Sequence, residues 1–382
     1  MIQVPVRALD GLLPTDLTAA DFELTDDDRP QMIQGLYLIE KNQIVRREVR
    51  KNFSFQPNTT RHFYLIFQMT KYDPKLEGAV DEVFRNVIRP GDTMTMMTPM
   101  KVYTLNPQAL GSKPIAQIAK EMQNRLRKDI ETGSTEYNSL VKDLRRFVKA
   151  IQRAGGLAAD QSGLDPEIDS DSSLTSNLGI EIVLSRYKTS LEMLEGLRFI
   201  DEQKFLRFTE ELRHLTGQKI VFFFYQREFR PELSPHVLSS MMSLYQDEPH
   251  IMGDLMDLFN FYKREMRLDV PRMSRACADA SICLNFIFME KAAQYIFGTT
   301  MKEQSEDVFS TFSEIAKSTG GITDSSQDLS VGFLKATRAV ESYYLLCYTP
   351  WMYVPDGQFK TIRVTVKNRF LDLGSRLGYF SR

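Results

Sequence analysis

The chain has 382 residues, 42% of them hydrophobic and 26% charged, the profile of one large or two ordinary globular domains. Its 48 lysines and arginines against 50 aspartates and glutamates leave a net charge of -2, so there is no basic field for general binding of nucleic acid or of an anionic membrane. The three cysteines, Cys277, Cys283 and Cys347, are too few and too scattered for a disulfide framework or a zinc site, and no apolar run approaches the ~20 residues that span a bilayer.

Met1 leads directly into Ile2-Gln3-Val4-Pro5-Val6, a strand with no leader peptide before it, which suits a mature secreted chain and a cytoplasmic one equally. Asp10-Gly11 predicts a turn, Phe22–Thr25 a strand, Asp26–Pro30 a turn and Met32–Ile39 a further strand. Phe63–Phe67 is a continuous apolar run of the kind buried on both faces of a parallel sheet. A helix over Asp81–Ile88, the breaker Pro90-Gly91-Asp92 and a strand over Thr93–Val102 follow.

Two amphipathic helices come next. One carries Ile115, Ile118, Ala119, Met122 and Leu126 on a single stripe with Ser112 as its cap; the other carries Leu140, Val141, Leu144, Phe147, Val148 and Ile151 and stops at Gly155-Gly156. From Leu157 to Ser176 the composition turns to Asp, Ser and Gly without apolar period, which predicts a mobile loop. A helix over about Ile180–Leu215, broken near Gly196, ends at Gly217, and Lys219–Tyr225 is a second buried strand. Residues 232–276 read as helical, Ser281–Phe288 as a third buried strand, Glu303–Lys317 as a helix closed by Thr319-Gly320-Gly321, and Leu329–Glu341 as the last helix. Strands return at Tyr343–Tyr348, Phe359–Val366 and Gly378–Phe380.

Strand-helix alternation in the middle predicts a doubly wound, mainly parallel α/β sheet over residues 51–341. The two strand-only ends are each too small to bury a core. Residues 1–50 are therefore expected to pack on 342–382 as a small β-sandwich.

Several segments resemble the bacterial VWFA-related proteins, a branch of the von Willebrand factor A superfamily. They are Val4–Gly11 with Leu17–Leu24, then Pro90-Gly91-Asp92, then Glu314–Gly321, and finally Tyr343–Pro350 with Asp356–Val364 and Arg376–Tyr379. The resemblance runs across nearly the whole chain in the right order. It implies a von Willebrand factor A-like domain and a home outside the cytoplasm, periplasmic or secreted.

In that superfamily a divalent cation sits at the carboxyl ends of the strands, in a metal-ion-dependent adhesion site. It is held by an Asp-x-Ser-x-Ser turn, a Thr from a second loop and an Asp from a third, and Mg²⁺ wants such hard, charged oxygen ligands. Here the first turn reads Gln68-Met69-Thr70-Lys71-Tyr72, with Gln for the carboxylate, a neutral phenol at its end and a lysine beside it. The second keeps a hydroxyl in Gly133-Ser134-Thr135, and the third reads Gln226-Arg227-Glu228, with Gln again for Asp. Both carboxylates are missing, so the metal site reads as degenerate unless Asp73 or Glu228 is displaced into it.

No cofactor, catalytic elbow, phosphate loop or dinucleotide fingerprint is expected. His62, His214, His236 and His250 are isolated and read as structural. The Met and His residues between His236 and Met256 would suit Cu(I), but core packing explains them better. The expected function is non-enzymatic: recognition or scaffolding of a protein partner by Gln68, Thr70, Tyr72, Thr135, Gln226, Arg227 and Phe229, with Arg230 beside them. The rival is a metal-dependent adhesion module with relocated ligands, and the plainest alternative is that these residues merely cap the fold.

Overall fold

The computed structural model describes residues 1–9, 13–157, 179–325, 329–367 and 371–382. The expected turn at Asp10-Gly11 and, beyond Leu157, the expected loop to Ser176 lie outside the described residues. In chain order the elements are β1 (Ile2–Ala8), β2 (Phe22–Asp26), β3 (Arg29–Pro30), β4 (Gly35–Glu40), β5 (Gln43–Val49), β6 (Arg61–Gln68), α1 (Lys75–Glu82), β7 (Thr93–Met97), β8 (Val102–Leu105), α2 (Pro107–Gly111) and α3 (Ile115–Ala154). There follow α4 (Ile180–Arg198), α5 (Glu202–Arg213), β9 (Gln218–Gln226), β10 (Phe229–Leu233), α6 (Pro235–Leu244), α7 (Pro249–Tyr262) and α8 (Val270–Asp279). The last are β11 (Ile282–Met289), β12 (Thr299–Glu303), α9 (Glu306–Ser318), β13 (Thr323–Asp324), α10 (Leu329–Glu341), β14 (Ser342–Tyr348), β15 (Phe359–Val366), β16 (Leu373–Ser375) and β17 (Gly378–Phe380).

The protein is mixed α/β. Its central sheet has six strands in the order β13-β11-β9-β6-β7-β8, parallel except for the edge strand β8. Numbered by first appearance, that is the 3-2-1-4-5-6 winding of doubly wound sheets, whose switch point lies between the first and fourth strands, here β6 and β9. Alternate residues of β9 feed two separate cores. Ile220, Phe222 and Phe224 pack with α1, α3 and α10, whereas Val221, Phe223 and Tyr225 pack with α5, α8 and α9. Every residue of β9 is buried, which is why its sequence shows no polar alternation.

The two chain ends form two antiparallel sheets, β16-β1-β14-β4-β5 and β17-β15-β2-β3. Val4, Val6, Phe22, Leu24, Tyr344, Leu346 and Ile362 share one core between them. The buried Asp26 ties the sheets together, since its Oδ2 accepts hydrogen bonds from Tyr348 and from Tyr379, each at 2.9 Å.

Several expected elements are redrawn. The two helices around Gly133 are one helix of 40 residues, about 60 Å long. Its apolar stripe runs from Ile118 through Ile130 and Tyr137 to Ile151 without losing phase, and the ~1 kcal/mol that Gly133 costs a helix does not break it. Residue Pro114, not Ser112, precedes its first turn. The single strand expected over Thr93–Val102 is a hairpin of β7 and β8. The helix expected at Asp81 begins at Lys75 and widens into a π turn at Val83–Val87, where Ile88 N donates to the Val83 carbonyl five residues back. Residues 232–276 are three helices preceded by β10, which pairs antiparallel with β12 as a separate ribbon. This ribbon and the carboxyl half of α3 pack with α4, α6 and α7 into a helical lobe with its own core.

Candidate functional site

The switch point fixes where to look. The turns after β6, β9 and β11 leave the carboxyl ends of three adjacent parallel strands, so Thr70, Glu228 and Lys291 converge although up to 221 residues apart in sequence. All three are buried. The Lys291 ammonium donates to Thr70 Oγ1 and to Glu228 Oε2, both at 2.6 Å, and Thr70 Oγ1 donates to Glu228 Oε1 at 2.7 Å. The ammonium also lies 3.9 Å from the ring centroid of Tyr137, which α3 presents from above. The Glu228 main-chain N–H donates to Ser305 Oγ at 2.6 Å, which locks the turn. Burial pushes the Glu228 carboxyl up and the Lys291 ammonium down, and the contact between them opposes both shifts.

The two glutamines that stand where carboxylates were sought are structural staples. The Gln68 side-chain amide donates to the Leu197 carbonyl at 2.8 Å. The Gln226 amide clamps the first turn from both sides, accepting from Lys71 N at 3.0 Å and donating to Lys71 O at 3.1 Å. Neither carries charge, so neither suits Mg²⁺.

Of the residues singled out from sequence, the structure brings Thr70, Gln226 and Glu228 together and moves others away. Thr135 is not on a loop: it is exposed in the middle of α3, and its hydroxyl bonds back to the Glu131 carbonyl at 3.4 Å. Asp73 turns to the start of α1, accepting from Lys75 N at 2.9 Å. Tyr72 bonds Glu77 at 3.2 Å and carries the Arg127 guanidinium over its ring. Arg227 is partly buried between Glu290 and Glu303, at 2.9 and 3.3 Å. Phe229 opens β10, half-buried, and Arg230 is buried beneath it against Glu232 at 2.6 Å. Arg230 therefore belongs to the lobe's interior and offers nothing to a partner.

Sequence reading missed Lys291, which follows β11 as one lysine among many and acquires meaning only through the contact with Thr70. It also missed Tyr295 and Phe297 in the same connection, 64% and 49% exposed. The fit to a divalent cation is poor. The one carboxylate in the cluster is already neutralised at 2.6 Å by a lysine, and the lysine nitrogen fills the space between the two oxygen ligands. Among the described residues no group of three or more His, Cys, Asp or Glu side chains could hold a metal ion, and no helix is long and apolar enough to cross a membrane. No protein family, no curated protein and no solved structure matches this chain.

Proposed function

We propose that the chain is a non-enzymatic binding or scaffold protein built on a metal-free von Willebrand factor A-like domain. It would recognise a protein partner through the loops at the carboxyl ends of β6, β9 and β11. The observation that carries this reading is the Lys291 ammonium, seated between Thr70 and Glu228 at the switch point of a 3-2-1-4-5-6 sheet. A built-in cation there does the electrostatic work of a divalent ion without an open coordination position, which leaves shape and surface chemistry to do the binding. Arg227, Phe229, Tyr295 and Phe297 supply the arginine and aromatic groups that dominate protein interfaces. The resemblance noted in the sequence favours a place outside the cytoplasm.

The test is a thermal melt after chelation, repeated with millimolar Mg²⁺, Mn²⁺ and Ca²⁺. A cation that binds the folded chain raises the melting temperature by mass action. The proposal expects no saturable shift with any of the three. A saturable rise would overturn it in favour of the adhesion module with relocated ligands, Asp73 and Glu228 being the first residues to substitute.

A further inference from the structure

At the opposite, amino end of β9 lies a cavity of about 420 Å³ between the sandwich and the central sheet. Its floor is built from three cations: Arg7 of β1, Lys219 of β9, and Arg376 between β16 and β17, with exposures of 3%, 6% and 7%. Among the described residues none of the three has a carboxylate within salt-bridge distance. Arg7 Nη2 reaches the side-chain oxygen of Gln218 at 3.4 Å, with its guanidinium over the Tyr343 ring. Lys219 donates to the Ala280 carbonyl at 2.8 Å, which uses one of its three protons. Arg376 Nη1 donates to the Ser281 hydroxyl.

Among the described residues Arg7 Nε and Arg376 Nε at this floor have no hydrogen-bond partner, and the Gln218 amide has none beyond the Tyr343 hydroxyl. The carboxylates whose charge reaches the group are already committed. Asp279 pairs with Arg382 at 3.2 Å and accepts from Phe380 N at 2.8 Å, and Asp26 accepts from two tyrosines. Burial pushes the Lys219 ammonium down to about 8 and lowers Arg376 as well. A buried cation without a counter-charge destabilises a fold, and three together are a liability that hydrophobic packing would have removed. The chamber is within the size range of small-ligand pockets, roughly 300–1,000 Å³.

We propose that this cavity is a binding site for a small oxyanion, a phosphate ester or a polycarboxylate, held by Arg7, Lys219 and Arg376 with the Gln218 amide as a further donor. The anion supplies the missing counter-charge, and its oxygens accept from the unpartnered N–H groups. The site is distinct from the Lys291 cluster, from which β9 separates it by about 26 Å at the usual strand rise. It touches both the sandwich and the central sheet, so occupancy would stiffen their junction.

The test is calorimetric titration of the full chain with inorganic phosphate and, separately, citrate, at neutral pH and constant ionic strength set by chloride. The expected result is saturable one-site binding to at least one of them and none to chloride. Phosphate alone assigns the phosphate class; citrate alone assigns the polycarboxylate class. Lys219→Met is expected to lose at least tenfold in affinity while melting no lower than the parent when no anion is present, because it removes an uncompensated charge. Should that variant fail to fold, Arg7→Gln takes its place. Absence of saturable binding to both anions overturns the proposal, as does unchanged affinity in the variant.

Discussion

The Lys291 nitrogen sits 2.6 Å from Glu228 Oε2 and 2.6 Å from Thr70 Oγ1, in a buried position where three strand ends meet. The pair is desolvated, so its two halves are not independently dispensable. Removing one partner of a buried ion pair leaves the other charge uncompensated, at a cost of about 3–5 kcal/mol, whereas replacing both by packed apolar groups is often neutral. Lys291→Met is therefore expected to lower the urea midpoint strongly, and Lys291→Met with Glu228→Leu to recover most of the loss. A double-mutant cycle by urea unfolding measures the coupling. If the two single variants simply add, the pair is a bystander.

The same geometry says what would be needed to make a metal site. Gln68 and Gln226 lack charge and Lys291 fills the space, so all three must change together. The triple variant Gln68→Asp, Gln226→Asp, Lys291→Ser is expected to show a Mg²⁺-dependent rise in melting temperature that the parent lacks. Gln226→Asp alone is expected to cost more than the ~1 kcal/mol of the lost amide clamp on Lys71, because it places a carboxylate at a buried position. A triple variant indifferent to Mg²⁺ would show that the three strand ends do not converge on a cation-sized space.

A second buried pair sits at the opposite, amino end of the sheet. Arg61 at the start of β6 and Asp92 before β7 are both fully buried; Arg61 Nε donates to Asp92 Oδ1 at 3.1 Å and Arg61 Nη2 donates to the Val87 carbonyl at 2.8 Å. Asp92 also accepts from Arg89 N at 2.7 Å, so the Pro90-Gly91-Asp92 segment is a folded turn locked by a charge. Asp92→Ala is expected to destabilise by about 3–5 kcal/mol, and Asp92→Asn by less because the amide keeps one acceptor. Equal losses in the two variants, read from denaturant midpoints, would count against this account.

Much of the architecture was legible from residue order alone. The buried strands announce themselves as Phe63–Phe67, Lys219–Tyr225 and Ser281–Phe288, because strands covered by helices on both faces are mostly apolar, even though buried Lys219 and Asn285 sit among them. The reading failed where long-range context overrides local pattern. Gly133-Ser134-Thr135 looks like a loop, yet apolar residues on either side keep helical phase and tertiary packing carries the helix through. The β10 strand is five residues with Pro231 inside, too short and too interrupted to signal itself, and it exists because β12 pairs with it. Of the candidate site, the turns after β6 and β9 were legible, but Lys291 was not, since no local spacing connects it to Thr70.

Gly321 illustrates a segment whose sequence pattern has a packing cause. A Cβ built there would come within 1.9 Å of the Leu284 carbonyl oxygen, and the neighbouring Thr319 hydroxyl accepts from Leu284 N at 3.1 Å. The Thr-Gly-Gly turn thus presses backbone against backbone on β11. Backbone cannot move aside as a flexible side chain can, so Gly321→Ala is expected to cost more than about 3 kcal/mol and to lower soluble yield. Circular dichroism melts of Gly321→Ala beside Gly111→Ala, a position with open space around it, separate the two cases. Similar melting temperatures for both would remove the close-approach argument.

Lys219 gives the sharpest dependence on pH. Its folded value of about 8 lies below the ordinary 10.5, because burial disfavours the ammonium. Between those values the unfolded chain binds more protons than the folded one, so this group's contribution to stability rises with pH. It is fully present above about 10.5 and is lost as pH falls through about 8. Buried Cys277, Cys347 and several tyrosines act oppositely, since burial raises them and their contribution fades as pH rises. The raw pH profile therefore mixes both signs, and the difference between the parent and Lys219→Met isolates the lysine. Between pH 8 and 9.5 the parent is expected to gain about 2 kcal/mol relative to that variant in urea unfolding without added anion. Saturating an anion site at the same floor would hold the ammonium charged and flatten this slope. A parent and variant that run parallel across the window, with and without phosphate, would mean that Lys219 is solvated in the folded chain and that its charge is not buried at the cavity floor.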